Sequence, residues 1–203
     1  MEAAIATARA SPKLAHLDFE VTWRPFELDP TLPEAGENKM TRYSAKFGAQ
    51  RMAEMVPYMK SVGAALQPPV SFSYGGLVSN TIASHVVLEA ALAEGGPALQ
   101  DRVVERLFAH YFEKEGDIAD RKALLAMALD AGMKPQPIAQ MLEDGTPLAV
   151  AARAATVRVI EATRRKYKMN GVPFFVFNDK AAFSGAQDPE AFLEVFEELA
   201  GAE

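Results

Sequence analysis

Cysteine is missing from all 203 residues. A chain without it has no disulfide framework, no thiolate nucleophile, no zinc–sulfur site and no redox pair of its own. Surplus positive charge is missing as well: 21 Lys and Arg stand against 27 Asp and Glu, giving a formal net charge of −6 and a pI near 5.2. Proteins that grip phosphate backbones rely on the opposite balance, so nucleic acid is not an expected partner. No apolar run approaches the roughly 20 residues that span a bilayer. The opening Met1-Glu2-Ala3-Ala4-Ile5 lacks the basic and apolar regions of a secretory signal. No contact with a membrane is expected. Also absent are G-x-G-x-x-G, a Walker loop, H-E-x-x-H, Ser-x-x-Lys and G-x-S-x-G. The three histidines, His16, His85 and His110, fall in different predicted elements, so neither a metal site nor a cofactor is expected.

What remains is an ordinary globular balance, 49% hydrophobic and 24% charged. At 22.0 kDa it suits one large domain or two small ones. The first residues read as a helix stopped by Pro12, with no residue ahead of Glu2 to cap its first turn. From Leu17 to Trp23 the chain alternates, with Leu17, Phe19, Val21 and Trp23 apolar, which predicts a strand. A loop follows to Gly36, then helical spacing over Lys39–Phe47 and Ala49–Leu66. Asn80 is placed to cap a helix closed by Gly95-Gly96, and Leu99, Val103, Leu107 and Tyr111 step by four along the next. Asp120 caps a predicted helix to Ala131, Pro135–Glu143 forms a short one, and Thr146-Pro147 starts a helix to about Lys168. Val172–Phe177 then reads as a strand buried on both faces, with a turn at Asn178-Asp179-Lys180 and a returning strand over Ala181–Ser184. Asp188-Pro189 opens a last helix with Phe192, Val195, Phe196 and Leu199 on one face. The two β regions are too short to support separate sheets, so they are expected to pair across an inserted helical domain.

Few residues carry chemistry on their own. His85 lines a cleft or is a satisfied structural histidine, and the second is the better reading. The run Arg164-Arg165-Lys166-Tyr167-Lys168 has the look of a nucleic-acid patch, but it sits where a helix end favours cations. The Met52, Met55, Met59 stripe reads as core. Pro173 stands out. A proline opening an apolar strand cannot donate to a ladder, and a cis bond there would turn Val172 backbone groups toward a visiting extended peptide. An ordinary trans edge proline is the alternative.

Several motifs bring a family to bear. Trp23-Arg-Pro-Phe-Glu-Leu-Asp-Pro30, Ser71-Phe-Ser-Tyr-Gly-Gly76, Asn80-Thr81 and Ser84-His85 come first. They are joined by Val104–Phe112, Gly116-Asp-Ile118, Gly171-Val-Pro-Phe-Phe175 and Ser184–Phe192. Together they resemble the DsbA-like thioredoxin-fold proteins of the FrnE type, close to the 2-hydroxychromene-2-carboxylate isomerases. The likeness covers nearly the whole chain in order.

That resemblance implies an α/β fold: a thioredoxin-like domain from residues 1–36 and 148–203, interrupted by an all-helical insertion over 37–147. It implies thiol–disulfide exchange by a C-x-x-C at a helix start, where a thiol pKa falls. It makes Pro173 a cis-proline facing the active site and Val172 the residue that binds substrate backbone. His85, Trp23 and Phe174 join these as expected substrate-binding residues; none can act as nucleophile, so no catalytic residue is expected. The family's first strand and its C-x-x-C have no counterpart here, and neither does the isomerases' catalytic serine. The chain therefore reads as an N-terminally truncated form whose sheet lacks the strand between Leu17–Trp23 and Val172–Phe177. Its expected partner is a peptide or thiol, glutathione among the candidates, with self-association through vacant sheet edges. The family implies cytoplasmic residence. Two other readings stand beside this one: an isomerase or glutathione-transferase-like enzyme acting on a small molecule, and a non-catalytic module that binds a peptide or partner chain.

Overall fold

A computed structural model describes residues 1–201. The chain divides into two compact units, one of Met1–Val21 with Thr163–Glu203, the other of Thr22–Ala162. No helix of the described residues is long and apolar enough to cross a membrane.

The first unit begins with α1, Glu2–Ala10, whose Ala4 and Ala8 are fully buried one turn apart. Its second half is a hairpin followed by a helix: β3 is Phe174–Phe177, β4 is Ala181–Ser184 and α8 is Pro189–Ala200. The hairpin is antiparallel, with Phe175 opposite Phe183 and Phe177 opposite Ala181. Asn178 and Asp179 close it in left-handed conformations (φ 51° and 57°), which Asn and Asp adopt more readily than most residues. Phe192 and Phe196 of α8 pack with Ala4, Ala8 and Leu14, and Phe175, Phe177 and Phe183 close over them with ring centroids about 5–6 Å apart. Asp188 makes no side-chain cap bond to α8; Pro189, preset for a first turn, opens that helix instead.

Three expectations fail here. Leu17–Trp23 is not a strand. Its burial alternates as the sequence pattern demands, and Leu17 and Phe19 reach the core beside Phe175 and Phe177, but no strand pairs with it among the described residues. Alternation fixes which side chains face inward; a strand also needs a partner for its backbone. For the same reason the two β regions share a core and no ladder. Nor is β3 buried on both faces: Phe174, Phe175 and Phe177 are half-buried and Val176 is exposed. Among the described residues it has a neighbour on one edge only, β4.

The second unit is helical apart from a short ribbon pairing β1 (Glu37–Asn38) with β2 (Leu77–Val78), which the sequence pattern did not announce. Its helices are α2 (Lys39–Phe47), α3 (Ala49–Ala65), α4 (Ile82–Phe108), α5 (Arg121–Asp130) and α6 (Pro135–Leu142), with α7 (Pro147–Tyr167) supplying all but its last turns. Helix α4 breaks at Gly95-Gly96, where Gly96 takes φ 68°, and unwinds at its end into a π turn, Ala109–Glu113. Asn80 Oδ1 accepts from Ile82 N at 3.0 Å, Asp120 Oδ1 from Lys122 N at 2.8 Å, and Thr146 Oγ1 from Ala149 N at 3.1 Å. Val87, Val103, Leu124, Ala128 and Ile138 are fully buried where α4, α5 and α6 meet.

Candidate substrate-binding site

The expected site residues fall in both units. Val172, Pro173 and Phe174 lie in the first; Trp23 and His85 lie in the second.

In the first unit the chain leaves α7 at Tyr167, turns through Lys168 (φ 50°) and reaches β3 by way of Val172 and Pro173. The Val172–Pro173 bond is cis, as are Gln67–Pro68 and Gln136–Pro137. Val172 is 49% exposed, unusual for an apolar residue beside a core strand. Gly185 N donates to Pro173 O at 2.9 Å, which fixes the hydrogen-bonding phase of the hairpin. With that phase, Pro173, Phe175 and Phe177 turn their main-chain groups toward β4, and Phe174 and Val176 turn theirs to the opposite edge. Phe174 packs its ring against Tyr167 at 6.0 Å. Asp179, in the hairpin turn, accepts from Lys166 Nζ at 2.8 Å and from the Tyr167 hydroxyl, contacts that hold its carboxyl below the usual range. The arrangement is an exposed apolar loop leading into a strand with one unfilled edge.

In the second unit, Trp23 and His85 fasten an extended segment to α4. Gln100 is completely buried. Its amide accepts from Trp23 N at 2.8 Å and donates to Trp23 O at 2.9 Å, completing the pair of bonds that a neighbouring strand would otherwise make. Trp23 Nε1 donates to Asp101 at 3.0 Å and the indole stands edge-on to Phe108. His85 Nε2 lies 3.1 Å from the Phe26 carbonyl oxygen, and burial pulls the imidazole down to about 4. Its Nδ1 is buried with no hydrogen-bond partner among the described residues. One turn along α4, burial pushes the Glu89 carboxyl up, and Arg24 at 3.7 Å opposes that shift.

A second polar cluster in this unit escaped the sequence reading. Lys39 is only 2% exposed; its ammonium donates to Tyr111 O at 3.2 Å and lies 3.8 Å from the centre of the Tyr111 ring. Burial holds that ammonium below the ordinary lysine value, with the Glu115 charge pulling the other way. The Tyr43 and Tyr111 hydroxyls are 3.3 Å apart, and burial keeps the Tyr111 phenol protonated far above neutral pH. Glu115 bonds the Ser73 hydroxyl and backs onto Gly76, where a Cβ would collide with the Glu115 carbonyl oxygen. Only glycine fits there, at φ 74°. The cluster can donate hydrogen bonds; it offers no nucleophilic sulfur. Lys39 and Tyr111 are separated by 72 residues, so no local spacing signals it.

With this geometry in hand, the comparisons with known proteins are specific. The model of a family described as DSBA-like thioredoxin domain matches residues 4–197. No curated protein sequence matches the chain. Among solved structures, the crystal structure of a probable DsbA oxidoreductase from Streptomyces coelicolor superposes with a TM-score of 0.76 at 23% identity. That match covers 100% of this chain and 83% of the other.

Proposed function

The chain belongs to the DSBA-like thioredoxin domain family, and on that premise we propose that these residues are the substrate-holding scaffold of a thiol–disulfide oxidoreductase whose sulfur atoms come from outside this sequence. One observation carries the reading. Leu17 and Phe19 share a core with Phe175 and Phe177, yet among the described residues neither backbone has a strand partner there, β3 on the edge away from β4. A strand entering there would find the outward main-chain groups of Phe174 and Val176 waiting. In the family pattern such a strand leads to a C-x-x-C at a helix start, and the helix N-terminus stabilises the attacking thiolate.

On this reading Val172 and Pro173 present backbone to an extended peptide or thiol substrate, with the Phe174 ring beside them. Trp23 and His85 are proposed, separately, as substrate contacts of the second unit taken by itself. The same family reading carries three further proposals: the FrnE type, cytoplasmic residence, and division into a thioredoxin-like part (1–36 and 148–203) and an insertion (37–147).

Amide hydrogen exchange combined with a dithiol assay tests the proposal. Alone, the chain is expected to turn over no dithiol substrate, and the Phe174 and Val176 amides are expected to exchange freely. A synthetic strand of alternating apolar residues ending in C-x-x-C is expected to protect both amides and to confer exchange activity. Amides already protected in the monomeric chain, or left unprotected by the added strand, would refute it.

A further inference from the structure

Resting on the assignment of Trp23 as a substrate contact of the second unit, we propose that Trp23, Phe108 and Phe112 form a docking surface for an extended peptide segment that carries arginines, with Asp101 and Glu113 receiving the guanidinium groups. Trp23 stands edge-on to Phe108 with ring centroids 5.7 Å apart, Phe108 meets Phe112 at 5.6 Å, and Phe112 meets Phe72 at 6.0 Å. All four rings belong to the second unit and make one continuous row. Phe108 is 43% exposed and Phe112 38%. Single exposed apolar residues are ordinary, but two large rings in contact with each other and with solvent form a patch. The row is also held firmly. Lys39 Nζ donates to Tyr111 O, and Ser73 N donates to Phe112 O at 2.7 Å, so the π turn that carries Phe112 is tied at two successive carbonyls. Rings fixed in this way lose little freedom when a ligand settles on them.

Charge selects the partner. Asp101 accepts from Trp23 Nε1 at one end of the row, and Glu113 accepts from Ser71 N at 3.0 Å, next to Phe72, at the other. Both donors are neutral groups, so neither bond cancels a carboxylate charge, and neither carboxylate makes an ion pair among the described residues. The nearby arginines are engaged elsewhere: Arg102 bonds Ala131 O, Arg106 bonds Asp130, and Arg24 pairs with Glu89. Lys114 follows Glu113 but is itself followed by Glu115, so that end of the row stays acidic. A guanidinium is planar, stacks on aromatic faces and pairs with carboxylates, and so satisfies rings and acids together. From Asp101 to Glu113 the helix advances roughly 18 Å at 1.5 Å per residue, a distance that an extended chain covers in about five residues. The favoured segment therefore carries two arginines at about that separation, with apolar residues between them.

Trp23 is the single tryptophan of the chain, so its emission reports on this surface directly. Three synthetic peptides of one extended sequence, with Arg, Gln or Glu at both outer positions, are titrated into the whole chain at low salt. The Gln peptide is expected to shift the emission, and the Arg peptide to bind about tenfold more tightly, a ratio that two exposed ion pairs with ring stacking supply. The Glu peptide should bind more weakly than either. The double variant Asp101→Asn, Glu113→Gln keeps both hydrogen-bond acceptors and is expected to erase the Arg-over-Gln ratio with helix content unchanged. Phe112→Ser, at an exposed ring, should weaken the Arg and Gln peptides alike. Equal affinities for the Arg and Gln peptides would overturn the arginine preference alone. Emission that none of the three peptides moves would overturn the parent assignment of Trp23. Competition by spermine as effective as by the Arg peptide would reduce the surface to general polycation attraction and overturn the proposal. A peptide-free dimer that Phe112→Ser dissociates would give the face to a second copy of this chain, with the same consequence.

Discussion

The fate of one proton on His85 follows from its neighbours. Phe26 O can only accept, so the neutral ring carries its hydrogen on Nε2, leaving Nδ1 buried and unpaired. A second proton would have to go on Nδ1, where no described residue accepts it; burial accordingly lowers the folded pKa from 6.5 to about 4. Between those values the unfolded chain holds more protons than the folded one, so stability falls as pH falls through that window. The loss attributable to His85 is about 3 kcal/mol, from roughly 1.4 kcal/mol per pKa unit. His85→Gln keeps a donor for Phe26 and has no proton to gain. Urea unfolding at pH 7 and at pH 4 should show the wild type losing about that much more than the variant; parallel losses would mean that the imidazole titrates normally. This behaviour fits a residue that fastens the Trp23–Phe26 segment, alongside Gln100.

At the scale of elements, helix starts divide into those held by a side chain and those held by shape. Asp120 accepts from Lys122 N and Ala123 N at the start of α5, so Asp120→Ala should cost about 1 kcal/mol. Asp188 occupies the same place before α8 and makes no such bond. Asp188→Ala should cost under about 0.5 kcal/mol, the part due to its charge at a helix N-terminus. Thermal unfolding of the two variants would read the contrast directly, and equal losses would show that the cap bond contributes nothing. The helices were legible because an apolar face at helical spacing, Leu99–Val103–Leu107 for instance, and a capping residue are both local. Leu17–Trp23 is legible only in part: its alternation sets the inward side chains and says nothing about a ladder partner. Val172 and Pro173 could be singled out because proline punctuates a strand visibly. Gln100 and Lys39 could not, because they act on Trp23 and Tyr111 across 77 and 72 residues, a proximity that only the folded helices create.

The whole molecule combines a thioredoxin-like fold of DsbA type, helix-rich with small sheets, with a cysteine count of zero. On the function proposed above, such a scaffold would hold a substrate chain without supplying the thiols that exchange sulfur. Its unfilled β3 edge also has a physical consequence of its own. Exposed strand edges recruit strands, and at high concentration the nearest available strand belongs to another copy. We therefore expect association that grows with concentration in light scattering. Val176 is the place to block it. Its main-chain groups point away from β4, so Val176→Pro removes an edge donor without touching the hairpin's own bonds. The variant should keep the helix content of the wild type and remain monomeric where the wild type associates. If both associate alike, the contact lies on another surface; if neither does, the edge is closed in solution and the scaffold needs no incoming strand.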